Sequence, residues 1–285
     1  MHPALIVALC VLAVLLLNFG AFVYMIRPSR KRREQMRAYH GAYIAHRGLH
    51  DDQRPENSMS AFAAAVEAGY GIELDVRVSK DGEVVILHDD TLDRMTGMPG
   101  PVSNYTVKEL SEMSILGTKD GIPTLREVLE LVDGRVPLVV ELKEELGKTI
   151  VTDKTAELLR EYNGPYVVES FNPMAVDYCH RIMPDVPIGF LSSSYMKQCG
   201  KRGFRYFAAR YLLTNIFSKP DFIAYAYWDR KNLAFRAFRR LFPRTPLVAW
   251  TLTSPEEEKI ARRFGYNCFI FENYIPDQNN KKEKD

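Results

Sequence analysis

The chain has 285 residues, 46% hydrophobic and 26% charged, a balance that can bury a sizeable core and excludes an intrinsically disordered chain. A formal net charge of +2 leaves no electrostatic footprint for nucleic acid. The four cysteines, Cys10, Cys179, Cys199 and Cys268, have neither zinc-ligand spacing nor a disulfide framework, and read as reduced core-filling thiols.

In chain order, Ala4 to Ile26 is almost wholly apolar and uncharged, long enough to cross a bilayer core of about 30 Å at about 1.5 Å per residue. A cleaved secretory signal carries its basic residues in front, whereas here Arg27, Arg30, Lys31, Arg32 and Arg33 follow. Residues 1–27 therefore read as an uncleaved single-pass anchor and 28–40 as a basic juxtamembrane linker, and the positive-inside rule puts the following domain in the cytoplasm. From Gly41 onward the net charge is −3.

A short buried strand is predicted at Tyr43 to His46, then a polar loop and a helix at about Ser58 to Ala68, stopped by Gly69. The strand Ile72 to Val78 is followed by Asp81-Gly82 and the apolar run Val84 to Leu87, a hairpin signal. A two-residue turn pairs Lys80 with Glu83 and puts Asp75 directly across from His88; a bulge would shift that register by one. Residues 91–121 read as an excursion with at most one short helix, Val107 to Met113. Thr124 and Glu127 form a capping box that starts a helix through Val132.

Strands at Leu138–Leu142, Tyr166–Ser170, Pro187–Leu191, Phe222–Ala226, Leu247–Leu252 and Cys268–Phe271 then alternate with helices at Lys148–Tyr162, Pro173–Met183, Lys231–Phe242 and Pro255–Phe264. Eight strands in such alternation argue a TIM (β/α)8 barrel over residues 41–276, with a small insertion after the second strand's hairpin. A doubly wound open sheet would need a Gly-rich first βα turn, which is lacking. The tail 277–285 is polar, and no eighth helix follows the last strand, so Arg30 to Tyr39 is expected to close that side of the barrel. Residues 197–244 hold twelve Lys or Arg against Asp221 and Asp229. They are either solvated helix faces or a face that meets an anionic membrane surface.

Working residues of a barrel lie at C-terminal strand ends. There stand His46, then Glu73 and Asp75 on one strand face, then Glu141 and Lys143. Three carboxylates converging inside a barrel call for a cation, and an all-oxygen set implies Mg²⁺, Ca²⁺ or Mn²⁺ rather than zinc. Taken singly, Glu141 and Lys143 need form no more than an ion pair.

His46-Arg47-Gly48, Pro55-Glu56-Asn57, Glu73-x-Asp75, Asp81-Gly82 and His88-Asp89, in this order and spacing, resemble the glycerophosphodiester phosphodiesterase family. The likeness continues through Glu141-x-Lys143, Glu169-Ser170-Phe171 and Trp250. It implies a TIM barrel with a divalent metal held by Glu73, Asp75 and Glu141. His46 and His88 would be the acid/base pair, Arg47 and Lys143 the phosphate contacts, and Trp250 an aromatic lining the substrate pocket. The last strand departs from the family's Thr-Asp-x-Pro turn, reading Phe271-Glu272-Asn273-Tyr274-Ile275-Pro276. The implied reaction is hydrolysis of glycerophosphodiesters to glycerol 3-phosphate and an alcohol. Alternatives are a lysophospholipase D-like action on membrane lysolipids and an inactive phosphate-binding module, the latter disfavoured because both histidines and all three carboxylates are present. His50 stands near these motifs but outside them, and nothing in the sequence bears on oligomeric state.

Overall fold

The computed structural model describes residues 2–277; the tail beyond them lies outside the described residues. Helix α1, Pro3–Ile26, is exposed along nearly its whole length and is long and apolar enough to cross a membrane. Only its last turn is covered, where Ile26 is buried and its carbonyl accepts from Asn215 Nδ2 at 3.0 Å. The chain then runs under the domain. Arg32 donates to Pro184 O at 2.5 Å and pairs with buried Asp221 at 3.1 Å. His180 shares this polar knot, which gives it a structural place.

The 3-10 turn Gln35–Tyr39 follows, then β1, Tyr43–Ala45. Next come α2 (Met59–Glu67), β2 (Gly71–Val78) and β3 (Val84–Ile86). The excursion carries α3 (Asp93–Thr96) and α4 (Val107–Glu112), one short helix more than expected. It exists because Leu92 and Met95 bury into a satellite core with Leu87, Leu110 and Ile122. Helix α5 (Leu125–Val132) starts at the Thr124–Glu127 capping box. Then follow β4 (Leu138–Leu142), α6 (Ile150–Leu159), β5 (Tyr166–Ser170), α7 (Pro173–Ile182) and β6 (Ile188–Ser192). A longer connection holds α8 (Tyr195–Cys199), α9 (Phe204–Arg210) and α10 (Asn215–Ser218). Strand β7 (Phe222–Ala226), α11 (Leu233–Leu241), β8 (Leu247–Leu252), α12 (Pro255–Arg263) and β9 (Cys268–Phe271) end the domain.

The eight strands β1, β2 and β4 to β9 are parallel and close into a TIM barrel through β1, which pairs with both β2 and β9. β3 returns antiparallel on β2. With a side-chain period of two, Ile44, Val139, Val167, Phe222, Val248 and Ile270 fill the interior toward the N-terminal strand ends. Two places further along, His46, Glu141, Glu169 and Glu272 carry polar groups toward the other end, while Ala224 and Trp250 keep it apolar on the opposite strands.

Two expectations are corrected here. The hairpin pairs Val76 with Ile86 and Val78 with Val84, so Asp75 lies across from Leu87, whose N–H donates to Asp75 O at 3.0 Å, and not across from His88. Ser79 closes the turn: its N–H donates to Glu83 O at 2.9 Å, while its hydroxyl accepts from Glu83 N at 3.0 Å and donates to Asp81 at 2.7 Å. Gly82 at φ +86° supplies the left-handed residue of a one-residue bulge.

The segment before β1 closes the barrel's end and not its side. Met36 and Tyr39, three residues apart on one face of their turn, plug the N-terminal mouth, and Tyr39 Oη donates to Leu138 O at 2.9 Å. The side next to β9 is covered by Tyr274 against Phe271 and by Tyr70, whose hydroxyl donates to Pro276 O. Tyr39→Ala empties the plug and strands a carbonyl, and is expected to cost about 3–5 kcal/mol, read as a lower urea midpoint with unchanged slope.

Candidate active site

Register brings the carboxylates together. Asp75 on β2 pairs with Glu141 on β4, and Glu141 pairs with Glu169 on β5, so three acidic side chains stand abreast on adjacent strands, with Glu73 two residues before Asp75. All four are buried. Oxygen atoms of Glu73, Asp75 and Glu141 lie within 4.8 Å of one another.

Burial, reinforced by the neighbouring carboxylates, pushes the Glu73 carboxyl well above its ordinary range. Burial likewise raises Glu141 and Glu169, with Asp75 adding to the first and Glu141 to the second. Asp75 goes the other way: burial would raise it, but Lys143, His88 and Arg47 hold it far below. Lys143 Nζ sits 2.8 Å from Asp75 and 2.5 Å from Glu141. One ammonium cannot balance this cluster, and an all-oxygen set of this kind suits a hard divalent cation. Glu169 Oε2 and Trp250 Nε1 are buried in the same pocket without a hydrogen-bond partner, as expected of polar atoms that serve a ligand.

His46 follows β1, and its Nδ1 lies 2.5 Å from Glu272 Oε2. The hydrogen bond from His46, ahead of all other influences, holds the Glu272 carboxyl below its ordinary range. Glu272 is thus ionised and accepts, so Nδ1 carries the proton. Nε2 is left facing Glu73 at 3.9 Å. His88 repeats the arrangement. Its Nδ1 lies 2.8 Å from Asp89 Oδ1. Burial opposes ionisation of Asp89, but Arg94 and His88 pull it down to about 2. Burial also takes the His88 ring down to about 4, against the pull of Asp75. The Arg77 guanidinium donates to His88 O at 2.8 Å and fixes that stretch of backbone.

The His-Arg-Gly and Pro-Glu-Asn stretches build the floor. Arg47 has φ +57°, which costs a non-glycine residue about 1–2 kcal/mol. That conformation points its N–H at Glu73 Oε2, 3.0 Å away, and its guanidinium at Asp75, 3.4 Å away. Gly48, at φ +85°, lies where a Cβ would meet Ala61 at 2.9 Å, so only glycine lets β1 approach α2 this closely. Glu56 accepts from Arg47 at 2.6 Å and from Arg94 at 2.8 Å; burial alone would raise its carboxyl, but the two arginines hold it at about 2. Asn57 Nδ2 donates to Asp75 Oδ2 at 2.8 Å.

The pocket of ≈ 70 Å³ so formed brings His46, Arg47, Glu73, His88, Glu141 and Trp250 together, and Phe171 packs edge-on against Trp250 at 5.4 Å. Asp75 and Lys143 are not among its lining residues; Lys143 is held between Asp75 and Glu141, which does line it. His50 lines the adjoining crevice with Glu272 instead. Sequence reasoning missed Glu272, Glu56 and Asn57 as partners of the site, and gave Asp89 and Glu169 no role. For Glu272 a signal existed: a carboxylate at a C-terminal strand end, in the stretch where the chain departs from the family's turn.

The sequence pattern of the Glycerophosphoryl diester phosphodiesterase family matches residues 46–275. A Glycerophosphodiester phosphodiesterase of Caldanaerobacter subterraneus subsp. tengcongensis is 36% identical over 171 residues, 55% of this chain and 67% of that one. The glycerophosphodiester phosphodiesterase structure from Thermotoga maritima superposes with a TM-score of 0.62 at 27% identity, over 82% of this chain and 95% of that one. A phosphodiesterase of Oleispira antarctica, solved with its product sn-glycerol-3-phosphate, superposes at 0.70 over 89% of this chain and all of that one, and its 20% identity speaks for the fold. A match of this extent, on a barrel whose C-terminal end gathers the motif residues, means that the chain belongs to the glycerophosphoryl diester phosphodiesterase family and is a phosphodiesterase.

Proposed function

We propose that the chain hydrolyses glycerophosphodiesters to glycerol 3-phosphate and an alcohol, with His46 and His88 as the acid/base pair. The observation that carries this reading is the pair of histidines, each held through Nδ1 by its own carboxylate, flanking one cluster of three buried carboxylates. Such anchoring fixes tautomer and ring orientation and leaves Nε2 to move protons. The product in the Oleispira antarctica structure supports the same substrate class.

Glu73, Asp75 and Glu141 are the residues to hold a divalent cation, Mg²⁺ or Ca²⁺, with Mn²⁺ an acceptable substitute. When bound, it would supply positive charge for the phosphoryl oxygens. Arg47 and Lys143 add their own charge there and orient the phosphate. One histidine Nε2 takes the proton of the attacking oxygen, a water or the neighbouring glycerol hydroxyl, while the other, protonated, gives its proton to the departing alcohol oxygen; attack by the glycerol hydroxyl leaves a cyclic phosphate, which a water then opens to glycerol 3-phosphate. Trp250 and Phe171 bound the glycerol side and exclude water. Helix α1 would serve as a single-pass anchor, with the basic run after it supporting a cytoplasmic barrel.

Release of glycerol 3-phosphate from glycerophosphocholine, followed with and without chelator, tests the reading. The expected result is turnover that falls at least about 100-fold on chelation and returns with Mg²⁺ or Ca²⁺. Turnover indifferent to chelator would remove the metal from the scheme. Glu272→Gln keeps the shape but loses the anionic acceptor. It is expected to lower kcat about 10- to 100-fold with little change in KM, and Glu272→Asp to recover part of the loss.

A further inference from the structure

We propose that the crevice at the foot of α1 binds the headgroup of a lipid phosphomonoester, of the phosphatidate kind, in the membrane that α1 enters; the proposal rests on α1 as an anchor and is independent of the catalytic reading. The crevice measures ≈ 580 Å³, and its wall joins two stretches far apart in sequence, residues 27–32 and the end of α10 with the turn after it. Arg27, Arg30 and Lys31 come from the first stretch and Lys219 from the second. None of these four cations pairs with a carboxylate among the described residues; Arg27 only lies over the Tyr24 ring, at 5.3 Å. Asp177, the acidic residue of the wall, is already paired with Arg181 at 3.0 Å.

The backbone around these cations is held in place. Pro28 is buried, Ser29 N–H donates to Pro220 O at 2.9 Å, and buried Arg32 pairs with Asp221, so this stretch is tied to the chain just before β7. Lys219 sits at φ +40° and ψ +57°, the left-handed position after a helix that glycine usually takes. Its N–H donates to Asn215 O at 3.1 Å and its carbonyl accepts from His180 Nε2 at 3.1 Å. A lysine there costs backbone free energy that glycine would not, as occurs where a charge has a task. Next to the crevice, burial and then the charges of Arg30 and Arg244 push the Arg33 guanidinium below its ordinary value, and its Nε is buried without a hydrogen-bond partner. Positive charge is thus crowded here without a counter-charge, which an anion would supply.

Position makes that anion a lipid. The crevice begins at Arg27, the residue that ends the apolar helix, so its cations stand at headgroup depth when α1 spans the bilayer. Phe217 lines the crevice and is 48% exposed, and an apolar ring beside cations suits the boundary between headgroups and acyl chains. The Ser29 hydroxyl accepts from Lys31 N at 3.2 Å and keeps its own proton for a phosphate oxygen. A phosphomonoester carries roughly −1.5 to −2 charges at neutral pH, more than the single charge of a phosphodiester headgroup, and so answers four cations better.

The site lies far from the carboxylates. Pro184 and Pro220, whose carbonyls hold residues 29–32, precede β6 and β7, at the N-terminal strand ends. A headgroup bound there fixes that end of the barrel at the bilayer and leaves the catalytic mouth at the opposite end.

The test places the full chain in phosphatidylcholine nanodiscs, alone or with phosphatidate or phosphatidylglycerol matched in total charge, and compares its Tm with that of a variant carrying Arg30→Gln, Lys31→Gln and Lys219→Gly. Expected is a wild-type Tm that rises with phosphatidate and rises less with phosphatidylglycerol. The variant should show no rise over the same range, each lost cation weakening binding about fivefold, while its glycerophosphocholine turnover stays that of the wild type. Lys219→Gly alone should raise Tm in pure phosphatidylcholine, where it relieves the backbone, and weaken the response to phosphatidate. A lower Tm with an undiminished response would assign Lys219 to the fold and overturn its place in the site. Equal rises with both anionic lipids, or a rise that the triple variant keeps, would mean diffuse surface charge and overturn the crevice. A rise that inorganic phosphate reproduces in the wild type and not in the triple variant would make the ligand a soluble anion and overturn the lipid. Should the chain fail to float with phosphatidylcholine vesicles, α1 is no anchor and the proposal falls with it, whereas absent turnover in the same preparation bears on the catalytic reading alone.

Discussion

His88→Ala is expected to lower kcat/KM for glycerophosphocholine by about 10²- to 10⁴-fold, and His46→Ala by a similar factor. The double variant should lose scarcely more than either single one, because an acid and a base that serve one displacement act as a unit. Folding should survive. Both rings line an open pocket, and their carboxylate partners keep other contacts, Asp89 with Arg94 and Glu272 with Asn273. A second readout separates chemistry from structure. Burial lowers His88 to about 4 in the fold, against 6.5 for an ordinary histidine. The unfolded chain therefore binds the extra proton between those values. His88 contributes stability that is fully present above pH 6.5 and lost as pH falls toward 4. The variant lacks this group, so its urea midpoint should fall less steeply over that window than the wild type's. Full activity in either variant would falsify the acid/base assignment.

Much of this arrangement was legible before any coordinates. Strands such as Leu138–Leu142 and Phe222–Ala226 stand out because a barrel buries both faces of its parallel strands, which makes them short apolar runs between turn signals. The candidate-site residues stand out because charge sits where a core would place none: Glu141 breaks the apolar run Leu138 to Leu142, and Glu73 and Asp75 break the run Ile72 to Val76. What stayed hidden depends on contacts distant in sequence or on backbone detail. The hairpin register turned on whether the Ser79 hydroxyl would capture the Glu83 N–H, a local competition that a binary pattern does not record. Glu272 gained its meaning from a ring 226 residues away. Met36 and Tyr39 sit in a segment whose overall polarity suggests a solvated linker, and only their three-residue spacing hints that one face is apolar.

The carboxylate cluster carries the second large effect, and it acts on stability and activity in opposite directions. Glu73→Gln should abolish metal-supported turnover, with a loss of at least about 100-fold. The same change should make the metal-free protein more stable at neutral pH. Burial, together with Asp75 and Glu141, raises the Glu73 carboxyl well above its ordinary value, so the fold favours its protonated form. A group raised in this way contributes stability below its unfolded pKa near 4.5 and loses it as pH climbs through the folded value. At neutral pH the metal-free cluster is thus under electrostatic strain, which a neutral amide relieves. A divalent cation relieves it too. Titrating Mg²⁺ or Ca²⁺ into the wild type at neutral pH should raise Tm by about 2–4 °C for each kcal/mol of binding linkage. The shift should shrink as pH is brought down to 4.5, where protons compete for the same oxygens. In Glu73→Gln it should be nearly lost, from a baseline Tm above that of the wild type. A variant less stable than the wild type without metal, yet still showing the full metal shift, would mean that Glu73 is a packing residue and that the cation is held elsewhere.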